Sequence, residues 1–472
     1  MIHINTNISS MVAGRILNYQ DTQLNQSLQR LGTGLRINTG KDDPAGLIAS
    51  EALRAEKKAI GAATYNIARA NNIVSSAEGG LDEISKLLLE LEDLVDKSAN
   101  EAGLSDSERQ ANQLQIDSVL DSINRIATST EFQGRKLLNG EMAYTTSAID
   151  TTSFDEVRIH SSRMADGAYR TAVVEVASAA ELAQLVFSGA TTNSGTTTLQ
   201  ITGNLGSETL SFTSATTISN VAAAINQSKD LTGVSATVSG VHLRFNSILY
   251  GSDQFVTVKA ITGTFAVTGG DAGSDKDYGL DATVLINGTT AVTQGLNAKL
   301  ATSTLSVDLD LTASFGTSQS SSTFYITGGG ADFMISPTVS LNGLASLGIG
   351  AVSTANLGRG GVGYLSTLGS GQANSVDSGN FATAQRIIRE AQLQVSELRG
   401  RLGAFQKDTL TPTSNSLSVT LENISAAESN IRETDFAEET SNLTRSQILV
   451  QSAMNVLKIA NAQPQSVLSL LQ

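Results

Sequence analysis

The sequence predicts an α+β protein: long terminal helices paired as a coiled-coil-like bundle, with β-rich domains inserted in the middle. Three observations carry this. From Ile60 to Val95 every step of three or four lands on an apolar residue: Ile60, Ala63, Ile67, Ala70, Val74, Ala77, Leu81, Ile84, Leu88, Leu91 and Val95. That heptad seam keeps one apolar stripe against a partner helix. The same period returns near the other end at Phe381, Ala384, Ile388, Ala391, Val395, Leu398, Leu402 and Phe405. Between the seams, residues 177–375 are rich in Ser, Thr and Gly, poor in charge, and alternate in short apolar runs as strands do. Two seams of one period near opposite ends imply that the ends pair and the middle is looped out.

The elements follow in order. Residues 1–40 show a helical pattern through Ile8, Met11, Val12, Ile16, Leu24, Leu28, Leu31 and Leu35, ended by Gly32, Gly34 and Asn38-Thr39-Gly40. Asp43 caps a second helix with Pro44 at its first position, where the missing N–H costs nothing. Gly79-Gly80 interrupts the seam, at about 1 kcal/mol per Gly relative to Ala, and suggests a close contact. Ser105-Asp106-Ser107-Glu108 is a capping box for a helix whose inner face is Ile116, Leu120, Ile123 and Ile126 or Ala127. After Gly134, alternation at Val157, Ile159, Val173 and Glu175 suggests a small hairpin region.

Strands are then expected at Leu199–Ile201, Leu210–Phe212, Val234–Val238, Leu243–Phe245, Phe255–Ile261 and Phe324–Ile326, with a helix on Ile218, Val221, Ala222 and Ile225. The Gly-dense run 343–371 reads as a return linker. In the carboxy-terminal seam Pro412 predicts a kink. Helical spacing resumes at Leu417, Leu421, Ile424 and Ile431. It continues through Leu449, Ala453, Val456, Ala460 and Val467, with Pro464 inside.

Composition removes several function classes. The 472 residues include no Cys, so disulfides, thiol catalysis and Cys-ligated metals are excluded. A net charge of −14 argues against a nucleic-acid partner. No run of about 18 apolar residues spans a membrane, and the start lacks the pattern of a cleaved signal peptide. Gly358-Arg359-Gly360-Gly361-Val362-Gly363 fits GxGxxG but has no βαβ context, so a flexible linker is the better reading. Asp271, Asp275, Asp277 and Asp281 do not match an EF-hand and read as a solvated turn. His3, His160 and His242 form neither an HExxH pair nor a triad, so no catalytic residue, metal or cofactor is assigned. Sequons such as Asn287-Gly288-Thr289 are expected by chance in this composition.

Two sets of terminal motifs carry a specific resemblance. Ile4-Asn5-Thr6-Asn7, Ser27–Leu31, Gly34–Asn38 and Lys41–Leu47 look like the amino-terminal signature of bacterial flagellins. Asn430–Glu439 and Val467–Gln472 look like the carboxy-terminal one. Residues 196–262 also resemble an insert found in some flagellins. The resemblance implies a secreted, non-enzymatic filament subunit for swimming, exported unfolded through a type III-type apparatus without signal cleavage and polymerised at the filament tip. Its implied partners are further copies of itself, an export chaperone and the flagellar export apparatus, and hook-associated junction and cap proteins. A junction protein within the same family, or a surface adhesin carried by 177–375, are the rival readings.

The implied domains are 1–43 with 432–472 as inner-core helices, and 44–176 with 376–431 as a helical shell. Residues 177–270 form a β-rich surface domain, and 271–375 a second β-rich unit with the return linker. Helix packing and assembly would rest on Leu24, Leu28 and Leu31, on Ile60, Ile67, Val74, Leu81, Leu88 and Val95, on Phe381, Ile388, Val395 and Leu402, and on Leu449, Val456 and Val467. The terminal stripes can be buried only against one another or neighbouring copies, so a free monomer is expected to leave them partly disordered. Glu90 and Glu92 stand where many flagellins carry two Arg read by toll-like receptor 5. The sign is reversed at both, so poor recognition by that receptor is expected.

Overall fold

The computed structural model describes residues 6–100, 103–164, 167–189, 195–269 and 275–470, without the side chains of 464–470. The chain divides into two compact units, Met1–Asn66 with Ser336–Thr338 and Thr411–Gln472, and Ile67–Ile335 with Val339–Leu410.

In the first unit, α1 (Ile8–Thr33) starts where the Asn7 side chain accepts from the Ser10 amide and stops at Gly34, whose φ of 71° is left-handed. Next comes α2 (Pro44–Ser98), capped by Asp43 Oδ1, which accepts from the Gly46 amide at 2.9 Å. Its first turns carry the buried Ile60 and Ala63, and α8 (Thr411–Arg432) carries the buried Leu417 and Ile424. Glu428 pairs with Lys57 and Arg54, and Glu51 with Arg432. The last helix is α9 (Phe436–Leu470).

In the second unit, the rest of α2, then α3 (Asp106–Ser129) and α7 (Phe381–Ala404) share one core. Val74, Leu81, Leu88 and Val95 of α2, Ile116 and Ile123 of α3, and Ile388, Val395 and Leu402 of α7 are all at most 1% exposed. Ile67 is also buried, while Phe381 is half-buried against this core. The flanks set the register. Asp96, Glu92, Asp82 and Ser75 of α2 bond to Gln385, Arg389, Arg399 and Gln406. The α2 numbers fall as the others rise, one for one, which is an antiparallel pair. Gly80 has a packing reason. A Cβ there would lie 2.7 Å from Thr130 Oγ1 and 2.8 Å from Leu138 Cδ1, so the chain after α3 crosses α2 at this point. The expected capping box at Ser105 and Glu108 is formed. Before Pro412 the helix widens into a π-helical turn over Phe405–Leu410.

The middle differs from the expected division. Val157 and Ile159, in strand Phe154–Ser162, do not hairpin with Val173 and Glu175, in strand Arg170–Ser178. The first strand pairs with Leu305–Leu311, and the second lies between Thr283–Ile286 and Ser320–Gly329. These strands form two antiparallel sheets around one core, in which Phe154 meets Phe315 and Phe324 at ring distances of 5.5 and 5.7 Å. Residues 144–180 therefore belong with 282–326, instead of with the helices and a separate later unit. Alternation specifies which face of a strand is buried but not which strand it meets.

Between them sits a second β-core of residues 183–267. It includes α4 (Ile218–Gln227), whose Ile218, Val221, Ala222 and Ile225 are buried. The short helical turns α5 (Lys229–Thr232) and α6 (Ala313–Gly316) complete the middle. Asn287-Gly288 is the tight turn joining Ile286 to Thr289. Both residues have positive φ, and the Asn287 side chain accepts from the Val173 amide at 2.9 Å.

The run 343–371 is not a flexible linker. Leu347, Ile349, Val352, Leu357, Leu365 and Leu368 are buried in the helical core. Its GxGxxG stretch is a tight hairpin in which Gly358-Arg359 pairs with Gly363-Tyr364. Gly358 and Gly363 have φ of 125° and 124°, and a Cβ on Gly358 would lie 2.2 Å from the Gly363 carbonyl oxygen. Of the expected acidic turn, Asp271 lies outside the described residues. Asp277 accepts from the Gln184 amide, and Asp281 from Ser252 and the Gly295 amide.

Two outcomes follow. Leu88→Asp places a carboxylate in a fully buried position without a partner. It should abolish the cooperative thermal transition of the second unit or lower its stability by about 3–5 kcal/mol, read by circular dichroism. His160, in strand Phe154–Ser162, is held neutral: burial first, then Arg401, Arg158 and Lys299, push its pKa from 6.5 down to about 3. The unfolded chain takes up this proton near the ordinary value, so the associated stability is present above about 6.5 and declines as pH falls toward 3. His160→Gln should remove up to about 3 kcal/mol of the stability difference between pH 6.5 and 4, measured by urea titration.

Candidate assembly surface

The terminal helices α1 and α9 form an antiparallel pair. The Asn7 side-chain amide donates to the Ala460 carbonyl at 2.7 Å, and at the other end Arg30 meets Glu439 at 3.5 Å. Beyond α1 the chain folds back at a joint. There the Arg36 amide donates to the Arg432 carbonyl at 2.7 Å, and the Thr434 amide to the Gly34 carbonyl at 3.0 Å. The Arg36 guanidinium adds a bond to the Ile431 carbonyl at 2.7 Å, and Ile37 beside it is 1% exposed. The residues after α1 and before α9 are thus tied by backbone bonds that depend on Gly34 being left-handed.

The pair closes on small side chains. Ala13 and Ser27 of α1, and Ser446, Ala453 and Ala460 of α9, are its buried residues, together with Glu439. Twelve large apolar side chains are left outside, while Leu17, Leu443 and Leu457 are half-buried. On α1 the exposed ones are Ile8, Met11, Val12, Ile16, Tyr19 and Leu28; on α9 they are Phe436, Ile448, Leu449, Met454, Val456 and Ile459. Exposure runs from 37% at Met454 to 69% at Met11. Of the expected packing positions, Leu24 and Leu31 are half-buried, while Leu28, Leu449 and Val456 are exposed. The side chain of Val467 lies outside the described residues. Alanine and serine let two helices approach closely, but their contact removes little apolar surface. Covering the twelve side chains, each about half exposed, would gain roughly 10–20 kcal/mol, half of the 1.5–3 kcal/mol that fully burying each would give. Such a patch on a folded chain marks a surface for another molecule.

The carboxylates of Glu90 and Glu92 have different surroundings. Glu90 is exposed on α2. Glu92 instead leans toward α7, where Gln392 donates to it at 2.9 Å and Arg389 pairs at 3.1 Å. The Gln392 bond first, and then Arg389, hold its pKa below the ordinary value against the opposing effect of burial. Glu92 is therefore not on the outer face together with Glu90. Helical period alone could not show this, because position 92 borders the seam and its partner lies on a distant segment.

Among the described residues no three His, Asp or Glu converge as a metal would require, and no helix is long and apolar enough to cross a membrane.

Comparison with known proteins agrees with this arrangement. Residues 4–143 match the model of the bacterial flagellin N-terminal helical region, residues 385–471 that of the C-terminal helical region, and residues 198–248 the flagellin hook IN motif. The chain is 29% identical to Flagellin A of Vibrio cholerae over 481 aligned positions, covering all of both chains. It is 28% identical to the B-type flagellin of Pseudomonas aeruginosa, covering 99% of each. Flagellin E of Vibrio cholerae is 42% identical over 156 residues, which are 33% of this chain and 41% of that one. The crystal structure of FlgL from Xanthomonas campestris aligns with 78% of this chain and 98% of its own, but at a TM-score of 0.27 and 15% identity. With flagellin models at both ends and flagellin relatives along its full length, the chain belongs to the bacterial flagellins, the structural subunits of the extracellular flagellar filament.

Proposed function

We propose that this flagellin is exported through the flagellar apparatus, with a chaperone covering its termini, and polymerises at the filament tip against cap and junction proteins. It acts as a building block and not as a catalyst. One observation carries the reading: α1 and α9 hold each other by small residues while twelve large apolar side chains face outward. A monomer gains little from ordering these helices, because their conformational entropy is offset only when the stripes are covered. Neighbouring copies supply that cover. A surface met by a different surface on the next copy does not close on itself and grows as an open helix.

Glu90 and Glu92 support a second statement, that this filament protein is poorly read by toll-like receptor 5. A carboxylate stands where an Arg is read, and Glu92 is further engaged by Arg389 and Gln392. Like-charge or unpaired polar contacts are the usual means of rejecting a partner.

Purified protein taken through one cycle of heating and cooling should regrow long filaments, seen by electron microscopy; rings or permanent monomer would overturn the proposal. Ile16→Ser combined with Ile459→Ser should leave the melting of the second unit unchanged. The same double variant should raise the critical concentration for polymerisation by about tenfold or more, as expected for losing roughly 1.4 kcal/mol or more of apolar contact. Receptor reporter cells given monomer should respond weakly, and Glu90→Arg with Glu92→Arg should raise the response; full signalling by the unaltered chain contradicts the receptor statement.

A further inference from the structure

A cavity of about 210 Å³ lies in the second unit between α7 and strand Phe154–Ser162. That is room for several waters, each taking about 30 Å³ in the liquid. Its charged lining is Glu156, Arg158, His160, Asp308, Glu397 and Arg401. The carboxylates are already engaged. Glu156 accepts from Arg158 at 2.7 Å, Asp308 accepts from Asn297 at 2.8 Å and pairs with Lys299, and Glu397 pairs with Lys299 at 3.3 Å. Arg158 is engaged too, giving a further bond to the Gly358 carbonyl. What remains is Arg401, whose Nε and Nη1 are buried without a hydrogen-bond partner, and His160, whose Nε2 is in the same condition. A guanidinium cannot shed its charge, so three of its five N–H donors are left pointing at nothing. Burying charged donors without acceptors is the costliest arrangement available to a polar side chain.

From this geometry we propose that the cavity is a binding site for a small tetrahedral oxyanion, phosphate or sulfate, held by Arg401 with His160 as a neutral co-donor. The guanidinium suits such oxygens, since its planar, weakly hydrated donors match them in direction and charge. Glu397 and Asp308 act on Arg401 through their charge, but both are bonded to Lys299 and neither reaches its Nε or Nη1. A bound anion would join the helical core, through α7, to the first β-core, through strand Phe154–Ser162. The site is independent of the terminal stripes: its ligand stabilises the second unit whether or not the chain polymerises.

The test is calorimetric titration of the full-length monomer with sodium phosphate and, separately, sodium sulfate, against chloride of equal ionic strength. Saturable one-to-one binding is expected for at least one of the two, and the one that saturates identifies the ligand. Arg401→Gln should weaken it by about tenfold or more, while Arg244→Gln, at an exposed strand position, should leave it unchanged. If Arg401→Gln fails to fold by circular dichroism, His160→Phe fills the cavity with an apolar ring and should abolish saturation. No saturable heat with either salt, which means the cavity holds water alone, overturns the proposal. So does unchanged binding in Arg401→Gln or His160→Phe, whichever of the two folds.

Discussion

Two helices that meet through alanine and serine leave much of their large apolar surface uncovered. That constraint governs the first unit. Ala13, Ser27, Ala453 and Ala460 let α1 and α9 lie close, and the bonds from Gly34 to Thr434 and from Arg36 to Arg432 fix where they start. The cost is that much of the apolar surface the sequence supplies is turned outward. In a chain that acted alone this would be a liability; under the proposal above, neighbouring copies cover it.

The second unit is built the other way. Its seam residues from Val74 to Val95 are at most 1% exposed at the four central heptad positions, and their partners on α3 and α7 are equally covered. Ion pairs along the flanks, Glu92 with Arg389 and Asp82 with Arg399, are exposed enough to contribute little energy and serve chiefly to fix register. One period of apolar residues thus gives a finished core in one part of the chain and an unfinished one in another. The difference is the size of the residues at the contact.

Much of this was legible in the sequence, and the reasons are local. Heptad spacing placed α2 and α7, Gly34 and Asp43-Pro44 marked the joint, Ser105 and Glu108 the cap, and alternation located eight strands of the middle but none of those from Lys276 to Leu311. What depends on distant partners was not legible. The strands at Val157 and Val173 looked like neighbours and pair instead with residues more than a hundred positions away. The run 343–371 looked like a linker because it is rich in glycine, yet Gly358 and Gly363 are there so that a hairpin can close. Glu92 borders the seam, and nothing near it in sequence pointed to Gln392. The half-buried Arg401 and His160 gave no sequence signal, since neither stands in a motif and the cavity that joins them exists only in the fold.

The central claim is that the terminal pair is completed by other copies. Amide hydrogen exchange, compared peptide by peptide between monomer and polymer, tests it most directly. The account predicts that residues 8–33 and 436–463 exchange about 100-fold or more slowly in the polymer, while the helical core from Val74 to Val95 is protected alike in both. Equal protection of the terminal helices in monomer and polymer would contradict it.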